Sequence, residues 1–205
     1  MRRVWQLVTF VVLFEIALYK SLFRWVTRWP DVPAGAVPAP YVRAMNVLLW
    51  AFIIGSAIEL VALHVVLPWE RVRLVADILG IRGLLWMLGF ATSNHVYPHL
   101  LFAEGLRLRS GHSVDFAVPW DAVERIGTRE RSLERSRTVQ VHDGVLSVAV
   151  ASRTNVDVRL SRPITVPLGK ETAEVTEVRF FADEPQPLAR EVLRLLASAR
   201  SGGSR

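Results

Sequence analysis

Five ionisable side chains lie within long apolar stretches of the first half of the chain: Glu15, Glu59, His64, Asp77 and Arg82. A charge in hydrocarbon costs about 3 kcal/mol by insertion scales, so it normally faces a partner or water. Two arrangements would satisfy these residues. All five could line a pathway for protons or ions, or Glu59 could pair with Arg82 while the others reach outward. We favour the ion pair, because three helices make a thin wall for a pathway.

The Glu59–Arg82 pair follows from the positions of the two residues in consecutive helices. The stretch Ala44–Trp69 contains 26 residues, among which Glu59 is the single formal charge. About 20 apolar residues suffice to cross a bilayer core, so this stretch predicts a transmembrane helix. A further helix is predicted over residues 74–93. The short connector between them, PWERVR, forces an antiparallel hairpin in which Glu59 and Arg82 lie at similar depth.

Residues 1–95 are therefore predicted to be a transmembrane region of about three helices, over residues 4–26, 46–67 and 74–93. The first helix carries Glu15 and other polar residues, so an interfacial amphipathic helix is the alternative for it. Between the first two helices lies PDVPAGAVPAP, whose four prolines predict an extramembrane connector that is not helical. The three glycines of the last helix permit close helix approach.

The second half of the chain, residues 96–199, is predicted to be a β domain with one terminal helix. Short alternating runs are separated by turn signals, which gives six or seven antiparallel strands. Asp143-Gly144 between two such runs is the strongest hairpin signal. A terminal helix near Pro185 has an apolar stripe, and residues 200–205 are predicted to be a disordered tail. A bent sheet or barrel with a helix over one end, an α+β class, fits these elements.

The run YPHLLFAEGLRLRSGHSVDFAVPWDAVERIG carries a resemblance to a known family. Its Gly105-Leu106 turn and its PWDAV element, residues 119–123, resemble the opening of bacterial pleckstrin-homology-like (PH-like) domains. Asp183-Glu184-Pro185, which opens the last helix, matches the end of such domains. Transmembrane helices followed directly by this domain resemble integral membrane proteins of high-GC Gram-positive bacteria. The resemblance covers residues 96–199.

The resemblance implies a seven-stranded bent β-sandwich that is capped by a helix and serves as a binding or assembly module. An anionic headgroup site in such a module would use Arg107, Arg109 and His112 around the first β-turn. Arg107 and Arg109, two residues apart, project from the same strand face, as a phosphate clamp requires. The alternative is an exposed polar face without a ligand. Trp120 is expected in the core or at its edge.

Several chemistries are not expected. The chain has no cysteine, which excludes disulfides, thiolate metal sites and cysteine nucleophiles. His95 and His99 have the spacing of a helical metal pair, but Pro98 breaks the helix between them, so no metal is predicted. No serine lies in a hydrolase motif, and no glycine loop suits a phosphate. We therefore expect neither catalysis nor a cofactor.

The net charge of +6 does not indicate nucleic-acid binding, because the basic residues are spread thinly rather than gathered into a patch. The segment 125–137 holds five arginines interleaved with glutamates. It is expected to be a solvated loop or an edge strand, and contact with anionic lipid is the alternative.

The sequence thus predicts a multi-pass protein of the cell membrane. Its β domain, placed in the cytoplasm by analogy, binds a protein partner or the membrane surface. A homo-oligomer is compatible with this prediction. The alternative function is a small transporter or channel subunit that uses Glu59 and Arg82 in an oligomeric pore.

Overall fold

The computed structural model describes residues 15–27, 31–110, 114–134, 137–168 and 171–202. Its helices are α1 (residues 15–26), α2 (Arg43–Val66), α3 (Glu70–Val96) and α4 (Pro185–Gly202). Its strands are β1 (Val37–Ala39), β2 (His99–Leu101), β3 (Gly105–Ser110), β4 (Val114–Pro119), β5 (Val123–Ser132), β6 (Val139–His142), β7 (Val145–Val148), β8 (Arg153–Leu168) and β9 (Glu171–Phe180). A 3₁₀ turn, Trp120–Ala122, joins β4 to β5.

The chain divides into two compact units. The helical unit contains α1 and Asn46–Val96, and the β unit contains Asp31–Met45 together with everything from Tyr97 onward. The division is not the predicted one, because the proline-rich connector and the first residues of α2 belong to the β unit. The β unit is therefore built from two separate pieces of the chain.

Among the described residues of the helical unit, α2 and α3 are the two helices long and apolar enough to cross a membrane. They contain 24 and 27 residues, which at about 1.5 Å per residue exceeds the thickness of a bilayer core. Large apolar side chains such as Val47 and Ile78 stay exposed along both helices. The structure has helices over both segments, 46–67 and 74–93, that were predicted to span a membrane, and α3 extends beyond its predicted segment at both ends. Of the helix predicted over 4–26, residues 15–26 are helical and the rest lies outside the described residues.

Two glycines of α3 mark close approaches between helices. A Cβ atom on Gly80 would lie 2.6 Å from Leu60 Cδ1 of α2, and one on Gly89 would lie 2.9 Å from Leu18 Cβ of α1. At Gly83 nothing lies within 4 Å of such an atom. Close approach is thus a property of two of the three glycines in this helix.

The β unit contains two sheets. The first is antiparallel with strand order β1-β2-β3-β4, and the second has the order β5-β8-β9-β7-β6. The predicted hairpin at Asp143-Gly144 is confirmed: both residues have positive φ, and His142 pairs with Val145 across a two-residue turn. The apolar stripe of α4 packs on the core through Leu188, Val192 and Leu196. Trp120 is buried in the same core, and its Nε1–H donates to the Phe102 carbonyl at 2.9 Å.

Three features of the β unit differ from the expectation. The connector contributes β1, in which Pro38 pairs with Leu100; on this edge strand a proline need not donate to a further neighbour. The described part of residues 96–199 holds eight strands rather than six or seven, and β7 runs parallel to β9, so the sheets are not wholly antiparallel. Finally, α4 continues to Gly202, so residues 200–202 of the predicted tail are helical.

Gly83 and Gly89 provide a matched pair of substitutions in one helix. In Gly89→Ala the new Cβ atom clashes with backbone and side-chain atoms of Leu18 and forces α1 away from α3. We therefore expect this substitution to lower the free energy of unfolding by about 1–3 kcal/mol. Gly83→Ala meets no atom and should raise it by about 0.5–1 kcal/mol through helix propensity. Denaturant unfolding of the full chain in one detergent measures both. Equal effects at the two positions would contradict the described α1–α3 contact.

Candidate functional site

The predicted arginine clamp is already occupied by carboxylates. Arg107 Nε and Nη2 bind the two carboxylate oxygens of Asp115 at 2.6 and 2.7 Å, and this hydrogen bonding raises the pKa of Arg107. Asp115 lies opposite Arg109 in the β3–β4 ladder, and Arg109 Nε is 3.9 Å from the same carboxylate. Both arginines therefore share one face, as predicted. His112 lies outside the described residues.

Arg109 differs from Arg107 in being buried. Its Nη1 donates to the Asp31 carbonyl at 2.9 Å, and its Nη2 is 3.2 Å from the Asp31 carboxylate. The guanidinium also lies 5.9 Å from the centroid of the Tyr97 ring. A buried cation needs such a partner, because removing one member leaves an uncompensated charge. These contacts give Arg109 a structural task, which is to hold the segment that precedes α2 against β3.

His99 is the most buried polar side chain near this cluster. The Arg109 backbone N–H donates to Nδ1 at 3.1 Å, so the ring proton lies on Nε2 and donates to the Phe181 carbonyl at 3.1 Å. The ring stacks on Tyr41 at 4.5 Å and meets Phe180 edge-on at 5.2 Å. Burial lowers the pKa of His99 to about 4, against a smaller opposing effect of its bond to Phe181. His99 is therefore neutral and joins β2, β3 and the end of β9.

The other histidine of the predicted metal pair lies elsewhere. His95 belongs to the helical unit, where its Nε2 is 3.3 Å from Asn46 Oδ1. His99 begins β2 after Pro98, and α3 ends at Val96, so the helix stops before the proline as predicted. Among the described residues, no three histidines and carboxylates are grouped as metal ligands.

Asp183-Glu184-Pro185 opens α4 as predicted, but the Asp183 side chain binds the start of a different helix. Its carboxylate accepts hydrogen bonds from the backbone N–H groups of Val42 at 3.1 Å and Arg43 at 2.8 Å, at the start of α2. Its own N–H donates to the Pro40 carbonyl at 2.8 Å. A carboxylate in this position satisfies otherwise unpaired helical N–H groups and complements the helix dipole. No local signal could reveal this contact, since about 140 residues separate the partners.

An open cleft lies beside Asp183 within the β unit, between β1 and the start of α4. Its volume is about 260 Å³. One side is formed by Val37, Pro38, Ala39 and Pro40, and the other by α4 and the residues before it. The lining is apolar apart from two carboxylates, Glu184 and Glu191. The cleft could not be foreseen from the sequence, because one wall is the connector that was expected to lie outside the domain.

Within the described part of the helical unit, four of the five ionisable residues singled out in the sequence form two contacts. Arg82 Nη2 binds Glu15 at 2.8 and 2.9 Å, and His64 Nδ1 is 2.8 Å from Asp77 Oδ2. The predicted partner of Arg82 was Glu59, so the structure corrects this pairing. Arg82 turns toward α1, whose close approach to α3 at Gly89 brings Glu15 within reach. Glu59 is exposed on α2, and no cation of the described residues lies within ion-pair distance of it.

The remaining arginine-rich segment is an edge strand, as expected. It forms much of β5, which lies at the end of its sheet and is mostly exposed. Within it, Arg131 binds Asp157 of β8 at 2.8 Å, and this hydrogen bond raises the pKa of Arg131. Asp157 on the neighbouring strand thus already engages part of this positive charge.

Comparison of the chain with protein-family models, with curated proteins and with solved structures finds no match.

The buried neutral state of His99 predicts a pH-dependent stability. Its pKa is lower in the folded state, about 4, than the ordinary value of 6.5, so acid protonates the unfolded chain first. The stabilisation is complete above pH 6.5 and is lost as the pH falls toward 4, by about 2 kcal/mol at pH 5. Denaturant unfolding at pH 7.5 and pH 5 measures this loss.

Two variants separate His99 from other titrating groups. His99→Gln should remove this part of the pH dependence, whereas His142→Gln, at the exposed tip of the β6–β7 hairpin, should keep it. An unchanged pH dependence in His99→Gln would show that another group titrates.

Proposed function

We propose that the protein is a multi-pass membrane protein in which α2 and α3 form a transmembrane hairpin and the β unit is an interaction module. Support for the hairpin comes from the length of both helices, their exposed apolar side chains and the three-residue connector Leu67–Trp69. Trp69 at this connector suits the headgroup level of a bilayer. α1 would then be a third span or an interfacial helix.

The single observation that carries the interaction role is the cleft between β1 and α4. A concave, mostly apolar surface with a few placed polar groups is the usual form of a recognition site. β1 is an edge strand that contains Pro38, and proline disfavours the addition of a further strand. The cleft would therefore accept side chains of a partner rather than extend the sheet.

The charges of the cleft favour a protein partner over lipid headgroups. Glu184 would repel an anionic headgroup and attract a basic side chain. Glu191 adds negative charge to the cleft, although one of its carboxylate oxygens also accepts a hydrogen bond from Arg194 within α4. The arginines that would bind a phosphate, Arg107 and Arg109, already hold Asp115 and Asp31. We propose that the occupant is a segment of a partner protein with apolar side chains and neighbouring lysine or arginine.

The same proposal includes a PH-like architecture for the β unit, its location in the cytoplasm, and a bacterial cell membrane as the membrane that α2 and α3 cross. Two sheets with one C-terminal helix packed on their core support it. The parallel β7–β9 pair and the strand from the connector depart from the pattern that the resemblance implies. The transporter alternative is less favoured, because Glu15, Arg82, His64 and Asp77 are held in two pairs rather than in one connected path.

Site-specific photocrosslinking in cells tests the cleft. A photoreactive amino acid in place of Val37, which lines the cleft and is partly exposed, should form an adduct with a protein. The same amino acid in place of Val141, a comparably exposed valine on β6, is the matched control. The Val37 adduct should fall at least about tenfold in the double variant Glu184→Lys/Glu191→Lys, since like charges would now face the basic segment.

A second double variant checks that charge reversal as such is not responsible. Glu171→Lys/Glu174→Lys changes two exposed acids of β9 and should leave the adduct intact. An adduct at Val37 that survives Glu184→Lys/Glu191→Lys would contradict the proposed recognition. Adducts with lipid alone would assign the cleft to the membrane surface instead.

A further inference from the structure

Glu59 occupies an unusual place in the helical unit. It lies well inside α2, eight residues before Leu67, and is exposed together with its neighbours Ile58 and Val61. Within the part of the chain that the structure describes, no cation lies within 4 Å of its carboxylate. If α2 crosses a membrane, this carboxylate faces hydrocarbon, where a lone acid is costly and normally finds a partner.

Arg82 has hydrogen-bonding capacity left for such a partner. Its side chain is 65 % exposed although it binds Glu15. Both contacts with Glu15 use Nη2, so the N–H groups on Nε and Nη1 donate to no described residue. A guanidinium carries five N–H donors and can hold two carboxylates at once.

Glu59 and Arg82 lie at the same level of the hairpin. Leu60 lies beside Gly80, and His64 contacts Asp77. Because α2 and α3 run in opposite directions, a step back along α2 corresponds to a step forward along α3. Glu59 is one residue before Leu60, which places it level with Ile81, one residue after Gly80. It is five residues before His64, which places it level with Arg82, five residues after Asp77. The difference is one residue, a rise of about 1.5 Å.

Equal depth matters because copies of one chain insert into a membrane in the same sense. A two-fold axis along the membrane normal keeps every residue at its depth, so a side chain can meet only those at its own level in the second copy. A contact between Glu59 of one copy and Arg82 of the other is therefore allowed by depth and by charge. The two-fold axis repeats it, which leaves neither Glu59 without a partner.

We propose that the chain forms a two-fold dimer within the membrane, in which Glu59 of each copy binds Arg82 of the other. This inference rests on the proposed membrane insertion of α2 and α3. Hydrogen-bonded polar contacts between helices stabilise association in lipid, where apolar surface alone gives little drive. The dimer also explains why Arg82 is exposed while it holds Glu15.

Complementation between two variants tests the dimer. Two differently tagged copies of the full chain are expressed together, and one tag is used to capture the other from mild detergent. Glu59→Gln with itself, or Arg82→Gln with itself, retains no Glu59–Arg82 contact. A mixture of Glu59→Gln and Arg82→Gln retains one contact in each mixed dimer, so we expect about fivefold more capture than for either variant with itself.

A control variant separates the contact from general damage. Glu70→Gln makes the same chemical change as Glu59→Gln at the exposed start of α3, so its self-capture should match that of the wild type. Alkaline extraction of the membranes establishes separately whether each variant is inserted.

The outcomes are distinct. The dimer is overturned if the mixture of Glu59→Gln and Arg82→Gln gives no more capture than either variant with itself. It is also overturned if Glu59→Gln captures itself as well as the wild type does. A second protein that is captured with the wild type and lost with Glu59→Gln, without self-capture, would also overturn it and assign Glu59 to that protein. If the wild-type chain resists alkaline extraction but does not self-associate, the dimer is contradicted and the proposed transmembrane hairpin is not. Release by alkaline extraction would instead contradict the proposed transmembrane hairpin.

Discussion

The hydrogen bonds between Asp183 and the start of α2 constrain the rest of the structure. One carboxylate accepts the N–H groups of Val42 and Arg43, and the Asp183 N–H returns a bond to Pro40. The first N–H groups of a helix have no partner within the helix, so α2 begins where the β unit supplies one. The first turn of a helix suited to a membrane is thereby fixed by a residue that follows the last strand. The partner of the helix start at Arg43 is thus supplied by the β unit.

The same constraint explains why the segment before α2 carries polar anchors. Asp31 holds the buried guanidinium of Arg109, β1 extends the first sheet, and Tyr41 covers the ring of His99. The Asp31 contact compensates a cation that would be costly to bury alone, and Tyr41 packs on an imidazole whose two nitrogens are paired with the Arg109 N–H and the Phe181 carbonyl. The segment is therefore an integral part of the β unit. It also forms one wall of the cleft, so the proposed recognition surface exists only when this segment is in place.

The sequence predicted those elements whose signals are local. The apolar run around Glu59 predicts α2, the positive φ preference of Asp143-Gly144 predicts the β6–β7 turn, and the stripe Leu188–Leu196 predicts the packing of α4. Contacts between distant residues could not be predicted. Asp183 directly precedes α4 in the sequence, yet its carboxylate binds the start of α2. The depth of Arg82 in the hairpin matched that of Glu59, but this depth did not reveal that Arg82 would bind Glu15 of α1. Charge and depth limit the partners of a side chain, whereas the choice among them depends on how the helices pack.

Cysteine accessibility tests the central claim, that α2 and α3 cross the membrane as a hairpin, most directly. The chain has no cysteine, so Glu70→Cys at the connector and His142→Cys on the β unit each create a unique site. Intact cells are treated with an impermeant maleimide and then opened. A transmembrane hairpin places the two sites on opposite sides, so one should react in intact cells and the other only after opening. Identical labelling of both sites would contradict the hairpin.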